Sequence, residues 1–309
     1  MKQNNTEKYA VILAGGDGNR LKSLTRVITG DERPKQFCPI LNNKTLLDLT
    51  RKRVELKIKP ENVCYSLTEK HENFYQAHLV DINESNLIVQ AENKGTAPAI
   101  LYALMRLANF NRDPTVAFFP SDHYFSDDEA LMNHVESAFQ TVEIQPKSII
   151  LLGIKPEKPE TSYGWIEPAE LRFSDLIKDV FQVKRFWEKP SFESAQHLLM
   201  KGCLWNSFLM VGKVSTFMAI IKRELPELYR MFEAASITFG TSFEKDTMLS
   251  LYAWINEVNF SSEVLEKCTE ELFVLQVNDV RWSDWGEPQR VLGTLSSLGV
   301  KADWIPIAA

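Results

Sequence analysis

Three glycines fall within four positions in VILAGGDGNRLKSLTR, Val11 to Arg26, and basic residues follow. Gly15, Gly16 and Gly18 dispense with side chains where an apolar run ends. Glycines there permit unusual backbone angles and close approach, and successive N–H groups can form an anion-binding concavity. Arg20, Lys22 and Arg26 add positive charge beside it. Such a loop suits phosphate. It is neither of the widespread phosphate motifs, however. The dinucleotide fingerprint needs a third glycine where Leu21 stands, and a P-loop needs a Gly-Lys pair where Arg20 or Leu21 stands. A tight strand-to-helix turn without a ligand would use the same glycines. Lys35, in ERPKQF, reads in isolation as solvated surface.

The elements around these residues alternate. YAVILA reads as a buried strand, followed by a helix over Thr45 to Ile58 with Thr45 as N-cap and Asp48 in capping-box position. NVCYSLT and ESNLIVQ are the next strands, with a helix from Glu69 to Leu79 between them. A helix begins at Thr96 and tolerates Pro98 in its first turn. TVAFFP is a fully apolar strand running into SDHYF; a helix from Asp127 to Val142 and the strand SIILLGI follow. Strands separated by helices imply a parallel sheet with right-handed crossovers, whose ligands sit beyond the carboxyl ends of the strands. After about residue 155 the rhythm changes. A Pro- and Glu-rich loop feeds a short strand, DVFQVKRFWEKP is a long strand halted by Pro190, and CLWNSFLMVG is another. Helices fill Lys213 to Glu257, and ELFVLQV precedes a loop, RWSDWGEP, that opens into a helix. The second half reads as wound onto the first rather than tethered to it.

Bulk properties exclude several classes. The net charge of −6 argues against a general nucleic-acid binder. No stretch approaches the ~20 apolar residues of a membrane helix, so no membrane association is expected. Cys38, Cys64, Cys203 and Cys268 are scattered too widely for a zinc site or a disulfide framework and read as reduced thiols in the cytoplasm.

Taken in order, the motifs resemble the sugar-phosphate nucleotidyltransferases, and within them the mannose-1-phosphate guanylyltransferases. LAGGDGNRLKSLTR followed by RPKQF resembles their glycine loop and its Pro-Lys. NKGTAPAI, FFPSDHYF, PEKPETSYGWIEP, VKRFWEKP, LWNSFLMV and RWSDWGEPQRV match further segments, so the resemblance runs along nearly all 309 residues. It implies an α/β, Rossmann-like mixed and mostly parallel sheet flanked by helices. Residues 1–155 would form mainly the nucleotide half and 156–309 mainly the sugar-phosphate half of a single domain, without the C-terminal β-helix many relatives carry. The implied reaction joins a sugar 1-phosphate to a nucleoside triphosphate and releases pyrophosphate. The expected partners are GTP and mannose 1-phosphate, with Mg²⁺ as cofactor and a homodimer as one option. Arg20, Lys35 and Asp122 would be catalytic. Ala14, Gly15, Gly16, Gly18, Gln90, Gly95 and Thr96 would bind the nucleotide. Gly164, Glu188, Lys189 and Asn206 would bind the sugar phosphate. Asp122 ends a buried strand, where a carboxylate packs poorly. A hard-oxygen metal ligand explains it, with Asp284 as its partner, although each could instead cap a helix. His123 reads as a structural hydrogen-bonder. Glu188 and Lys189 would face opposite ways in a regular strand, so joint action requires the strand to bend or end there.

The chain departs from that pattern at Asn19, Gln90, Lys94 and Gly95, and Ser261 or Ser262 replaces an aspartate. Phe208 stands where the family has glycine, which is expected to narrow the sugar pocket. The alternatives are the same chemistry with another base or sugar, or a non-catalytic regulatory relative. The latter would be expected to lack Arg20, Lys35, Asp122 or Asp284, and all four are present.

Overall fold

The computed structural model describes residues 7–110, 113–174, 177–301 and 304–305. Its strands are β1 (Lys8–Leu13), β2 (Val63–Thr68), β3 (Leu87–Gln90), β4 (Thr115–Pro120), β5 (Tyr124–Phe125), β6 (Ile149–Ile154), β7 (Gly164–Ser174), β8 (Ile177–Glu188), β9 (Leu204–Lys213), β10 (Leu272–Val277) and β11 (Trp282–Ser283). The helices are α1 (Lys22–Thr29), α2 (Leu46–Glu55), α3 (Glu72–Tyr75), α4 (Thr96–Phe110), α5 (Asp128–Ile144), α6 (Phe192–Met200), α7 (Val214–Glu224), α8 (Pro226–Ala235), α9 (Glu244–Tyr252) and α10 (Pro288–Ser297).

Nine strands share one sheet in the order β3-β2-β1-β4-β9-β6-β10-β8-β7. The strands β3, β2, β1 and β4 are mutually parallel, as are β6 and β10. The sheet is mixed, as expected: β9 inserts antiparallel between β4 and β6. β8 is antiparallel to its neighbours as well. The second half of the chain is thus woven into the middle of the first.

Strand alternation builds the layers. Val11, Val116, Phe118, Ile149 and Leu151 face a core shared with α4, α7, α8 and α9. Their neighbours Ala10, Ile12, Ala117, Phe119, Ile150 and Leu152 face the opposite core, shared with α2, α5 and α6. This period of two explains why these strands are apolar throughout: both faces are covered. A third, smaller core joins Leu21 and Leu24 of the glycine-loop side to Trp285, Val291 and Leu295.

Two elements differ from expectation. The segment from Glu69 alternates short 3-10 turns with the single turn α3, although Tyr75 and Leu79 still face the core. Its first turn is committed elsewhere, since Lys70 and His71 both reach Asp17. The strand expected to be short is the eleven-residue β7, which lengthens because it pairs with both β8 and β9. The four cysteines are free and buried.

The capping box forms as the spacing predicts. Thr45 Oγ1 accepts from the Asp48 N–H at 3.1 Å, and Asp48 Oδ2 accepts from the Thr45 N–H at 3.2 Å. Thr45→Ala is expected to cost about 1 kcal/mol in chemical denaturation. A Thr45→Ala protein with the wild-type unfolding midpoint would show that the box contributes nothing.

Candidate active site

The glycine loop follows β1 at the carboxyl edge of the sheet. Ala14 anchors it. Its N–H donates to the Ser66 carbonyl at 2.8 Å, and its carbonyl accepts from Gln36 Nε2 at 3.0 Å. Gln36 also donates to the Gly16 carbonyl at 2.7 Å, and Thr68 Oγ1 to the Gly15 carbonyl at 2.9 Å. The loop's carbonyls are therefore pinned from behind. Among the described residues, the N–H groups of Gly15, Gly16 and Gly18 donate to no protein acceptor. Unpaired amides held in a fixed loop are an anion site in waiting. A Cβ on Gly15 would lie 2.8 Å from Thr68 Oγ1, and Gly18 has φ +59° with the Lys35 backbone close by, so both positions require glycine.

Gly15 and Gly16 line a cleft of about 340 Å³ together with Gln90, Asn93, Gly95, Thr96, Asp122 and Phe208. Gln90 and Thr96 shape this cleft with polar atoms already engaged. Gln90 donates to Ser66 and to the Leu67 carbonyl and accepts from Tyr252, while Thr96 Oγ1 accepts from the Phe260 N–H at 2.8 Å. Gly95 has φ +87°, and a Cβ there would overlap the Val258 carbonyl. Residues 93–97 and 257–260 are zipped together by the Val258–Lys94 and Ala97–Val258 backbone bonds.

Gly18, Arg20, Lys35, Asp122 and Gly286 line an adjoining hollow of about 270 Å³. Lys35 is not solvated surface: it is 6% exposed. Its Nζ lies 3.3 Å from Asp122 Oδ2 and donates to the carbonyls of Asp284 and Trp285. Neither aspartate caps a helix, for Asp127 caps α5 and Glu287 occupies the N-cap of α10. Arg20 Nη2 is 3.9 Å from Asp284 Oδ2, with its guanidinium largely exposed. Arg26 instead pairs with Glu32.

Asp284 Oδ1 accepts from Tyr163 Oη at 3.0 Å, the Gly286 N–H at 2.8 Å and Arg290 Nη1 at 2.6 Å. Burial works to raise the Asp284 pKa, yet it sits below the ordinary value, because the charge His123 carries when protonated, Lys35, Arg290 and the Gly286 amide favour the anion. Burial lowers the His123 pKa, against the pull of Asp122 and Asp284. Trp282 Nε1 donates to His123 Nδ1 at 3.3 Å, so the proton belongs on Nε2, which faces Asp122 Oδ1 at 3.7 Å. Among the described residues no three His, Cys, Asp or Glu side chains converge as a metal cage. Magnesium asks for less, one or two carboxylates with waters and phosphate. Asp122 Oδ1 and Asp284 Oδ2 lie outside the close hydrogen bonds, and an all-oxygen pair of this kind fits that ion.

The remaining candidates form a second group. A Cβ on Gly164 would lie 3.1 Å from Glu188 Oε2 and 3.2 Å from Asn206 Cβ. β8 ends at Glu188, and Lys189 turns with φ +51°, which brings Lys189 Nζ to 3.3 Å from Glu188 Oε1. Burial holds Glu188 above the usual carboxylate range, only partly offset by Lys189. Tyr163, next to Gly164, bonds Asp284 and thereby couples this group to the first.

Three positioning residues escaped the sequence reading: Gln36, Tyr163 and Arg290. Gln36 had a signal, its place beside Lys35 in the RPKQF segment that carries the family resemblance. Arg290 had none, because an arginine on a helix is ordinarily solvated. Here it is buried over the Tyr163 ring at 4.8 Å and bonds Ser162, Glu160 and Asp284.

The chain belongs to the nucleotidyl transferase family, whose pattern matches residues 9–294. It is 27% identical over 294 residues to the mannose-1-phosphate guanylyltransferase of Escherichia coli strain K12, covering 90% of this chain and 58% of that protein. It is 30% identical over 295 residues to mannose-1-phosphate guanylyltransferase 2 of Escherichia coli O157:H7, covering 91% and 58%. The chain thus spans little more than half the length of these relatives. It superposes with a TM-score of 0.79 and 27% identity on a crystal structure described as mannose-1-phosphate geranyltransferase from Thermus thermophilus, over 92% of this chain and 79% of that one. A UDP-glucose pyrophosphorylase shares the fold at TM-score 0.56 and 14% identity, over 95% and 98%.

Arg290→Met would leave Glu160 and Asp284 without their buried cation. A loss on the order of 3–5 kcal/mol is expected from urea unfolding. A loss below about 1 kcal/mol would mean that Lys35 and solvent compensate the two carboxylates unaided.

Proposed function

We propose that the protein transfers a nucleotidyl group from a nucleoside triphosphate to a sugar 1-phosphate and releases pyrophosphate, with GTP and mannose 1-phosphate as the favoured pair. The observation that carries this reading is the glycine loop, with its unpaired amides beside Arg20 and the buried Lys35–Asp122 pair. A sugar-phosphate oxygen attacks the α-phosphorus, forming one P–O bond as the bond to the departing pyrophosphate oxygen breaks. No proton need be removed from the nucleophile, since that phosphate is already ionised. The protein's task is to hold two anions in line and neutralise their charge. The loop amides and Arg20 receive the triphosphate, and Lys35 stands at the seam between the two substrates. Asp122 and Asp284 would hold Mg²⁺, which supplies positive charge against the phosphate oxygens when bound. Gly164 leaves backbone room for the sugar, Glu188 and Asn206 present acceptors to its hydroxyls, and Lys189 faces its phosphate.

The guanine preference is supported by the relatives at 27–30% identity and is tested by thermal shifts with GTP, ATP, UTP and dTTP. GTP should raise the melting temperature most, and a larger shift with dTTP or UTP would reassign the base. Lys189→Ala and Asn206→Ala should raise KM for the sugar phosphate more than for the nucleotide. Arg20→Ala should instead lower kcat/KM for the nucleotide about a hundredfold. Equal effects of all three on both substrates would contradict the division of the site into two halves.

A further inference from the structure

We infer that Phe208 is a selectivity residue, a ring aimed by a strand irregularity so that it narrows the sugar end of the cleft. The inference rests on the sugar-phosphate reading above. The β6–β9 register breaks at this point: Leu151 faces Met210 and Gly153 faces Asn206, so Leu152 alone opposes Ser207, Phe208 and Leu209. Irregularities of this kind turn a side chain out of its regular direction and recur beside active sites. This one is secured by buried polar groups. Ser207 Oγ donates to the Leu152 carbonyl at 2.6 Å and accepts from the Leu209 N–H at 3.3 Å. Asn206 Oδ1 accepts from the Phe208 N–H at 3.1 Å. Within it Phe208 has φ +62°, a left-handed conformation that a bulky side chain adopts only under strain.

Strain of this kind persists only where the surroundings enforce it, and the enforced result here is the placement of the ring. Phe208 packs partly against the core and lines the cleft with Thr96, Ala99, Pro120 and Asn259. Its bonded neighbour Asn206 borders Gly164. The ring therefore stands where the nucleotide cleft meets the Gly164–Glu188–Asn206 group. An apolar ring there offers no hydrogen bond and takes up volume, so it discriminates by size. A compact hexose 1-phosphate passes, and one carrying an N-acetyl group in place of a hydroxyl is turned away.

The test compares wild type, Phe208→Gly and Phe208→Ala. Equilibrium binding and kcat/KM are measured with glucose 1-phosphate and N-acetylglucosamine 1-phosphate, which differ in one substituent. Both variants should shift the ratio of the two sugars tenfold or more toward the N-acetylated one. Both lose the ring, but only glycine relaxes the backbone, so Phe208→Gly should melt about 2–4 °C above Phe208→Ala. Binding with an unchanged ratio overturns the gate and leaves the nucleotidyltransferase reading intact. Mannose 1-phosphate is run alongside: its binding to all three proteins with neither of the other two sugars bound by any overturns the gate alone, and failure of all three sugar phosphates to bind any of the proteins overturns both. A Phe208→Gly protein that melts below Phe208→Ala overturns the enforced placement of the ring.

Discussion

A buried ammonium cannot stand alone. Lys35 is almost fully enclosed, and its charge is met by the Asp122 carboxylate at 3.3 Å and by the carbonyls of Asp284 and Trp285. The lysine and those partners lie on three segments: the turn after α1, the end of β4, and the loop before α10. Burying the cation is costly unless all three converge. The requirement therefore gathers the hollow beside the glycine loop. A second cation, Arg290, repeats the device one layer out by joining Asp284 to Glu160 and Ser162.

Three of the eight described non-glycine residues with positive φ lie in the same places. Lys189, Phe208 and Trp285 all have positive φ, and each adjoins or lies within two residues of a candidate group: Glu188, Asn206 and Asp284. Strand geometry alone would send Glu188 and Lys189 to opposite faces. The left-handed turn at Lys189 removes that conflict, and the one at Phe208 directs a ring into the cleft. Trp285 is wholly buried, stacked on Tyr124 at 5.3 Å, with Nε1 donating to Thr294 at 3.0 Å. Its packing holds the Asp284 loop in a conformation the backbone would not choose. Regular elements supply the frame, and irregular ones between them aim the groups that meet a ligand.

The insertion of β9 between β4 and β6 makes the two halves of the chain inseparable at this edge of the sheet. Asp122 follows β4, Asn206 and Phe208 lie on β9, and Gly164 opens β7, which pairs with β9. A fold with a purely parallel central sheet would keep these groups apart. The mixed topology places the Gly164–Glu188–Asn206 group beside the glycine-loop cleft.

Much of this was legible in the residues. The apolar runs of β1, β4 and β6 announce strands covered on both faces, because only such strands dispense with polar alternation. Thr45 and Asp48 announce a helix start through their own hydrogen bonds, and Gly15, Gly18 and Gly95 announce positions where a Cβ has no room. These are local properties, decided within a few residues, and sequence reports them directly. Tertiary structure alone decided the rest. Lys35 reads as surface until Asp122 and the 284–285 carbonyls are brought to it. Arg290 is unremarkable until Tyr163 and Glu160 bury it. Gln90 and Thr96 turn out to shape the cleft with polar atoms already spent on Tyr252 and Phe260. Nothing local signals the antiparallel entry of β9, because strand direction depends on which neighbours are free when the sheet assembles. Side-chain type set the repertoire of contacts. Long-range pairing chose among them, since a charge or a hydrogen bond acquires its worth only from partners distant in the chain.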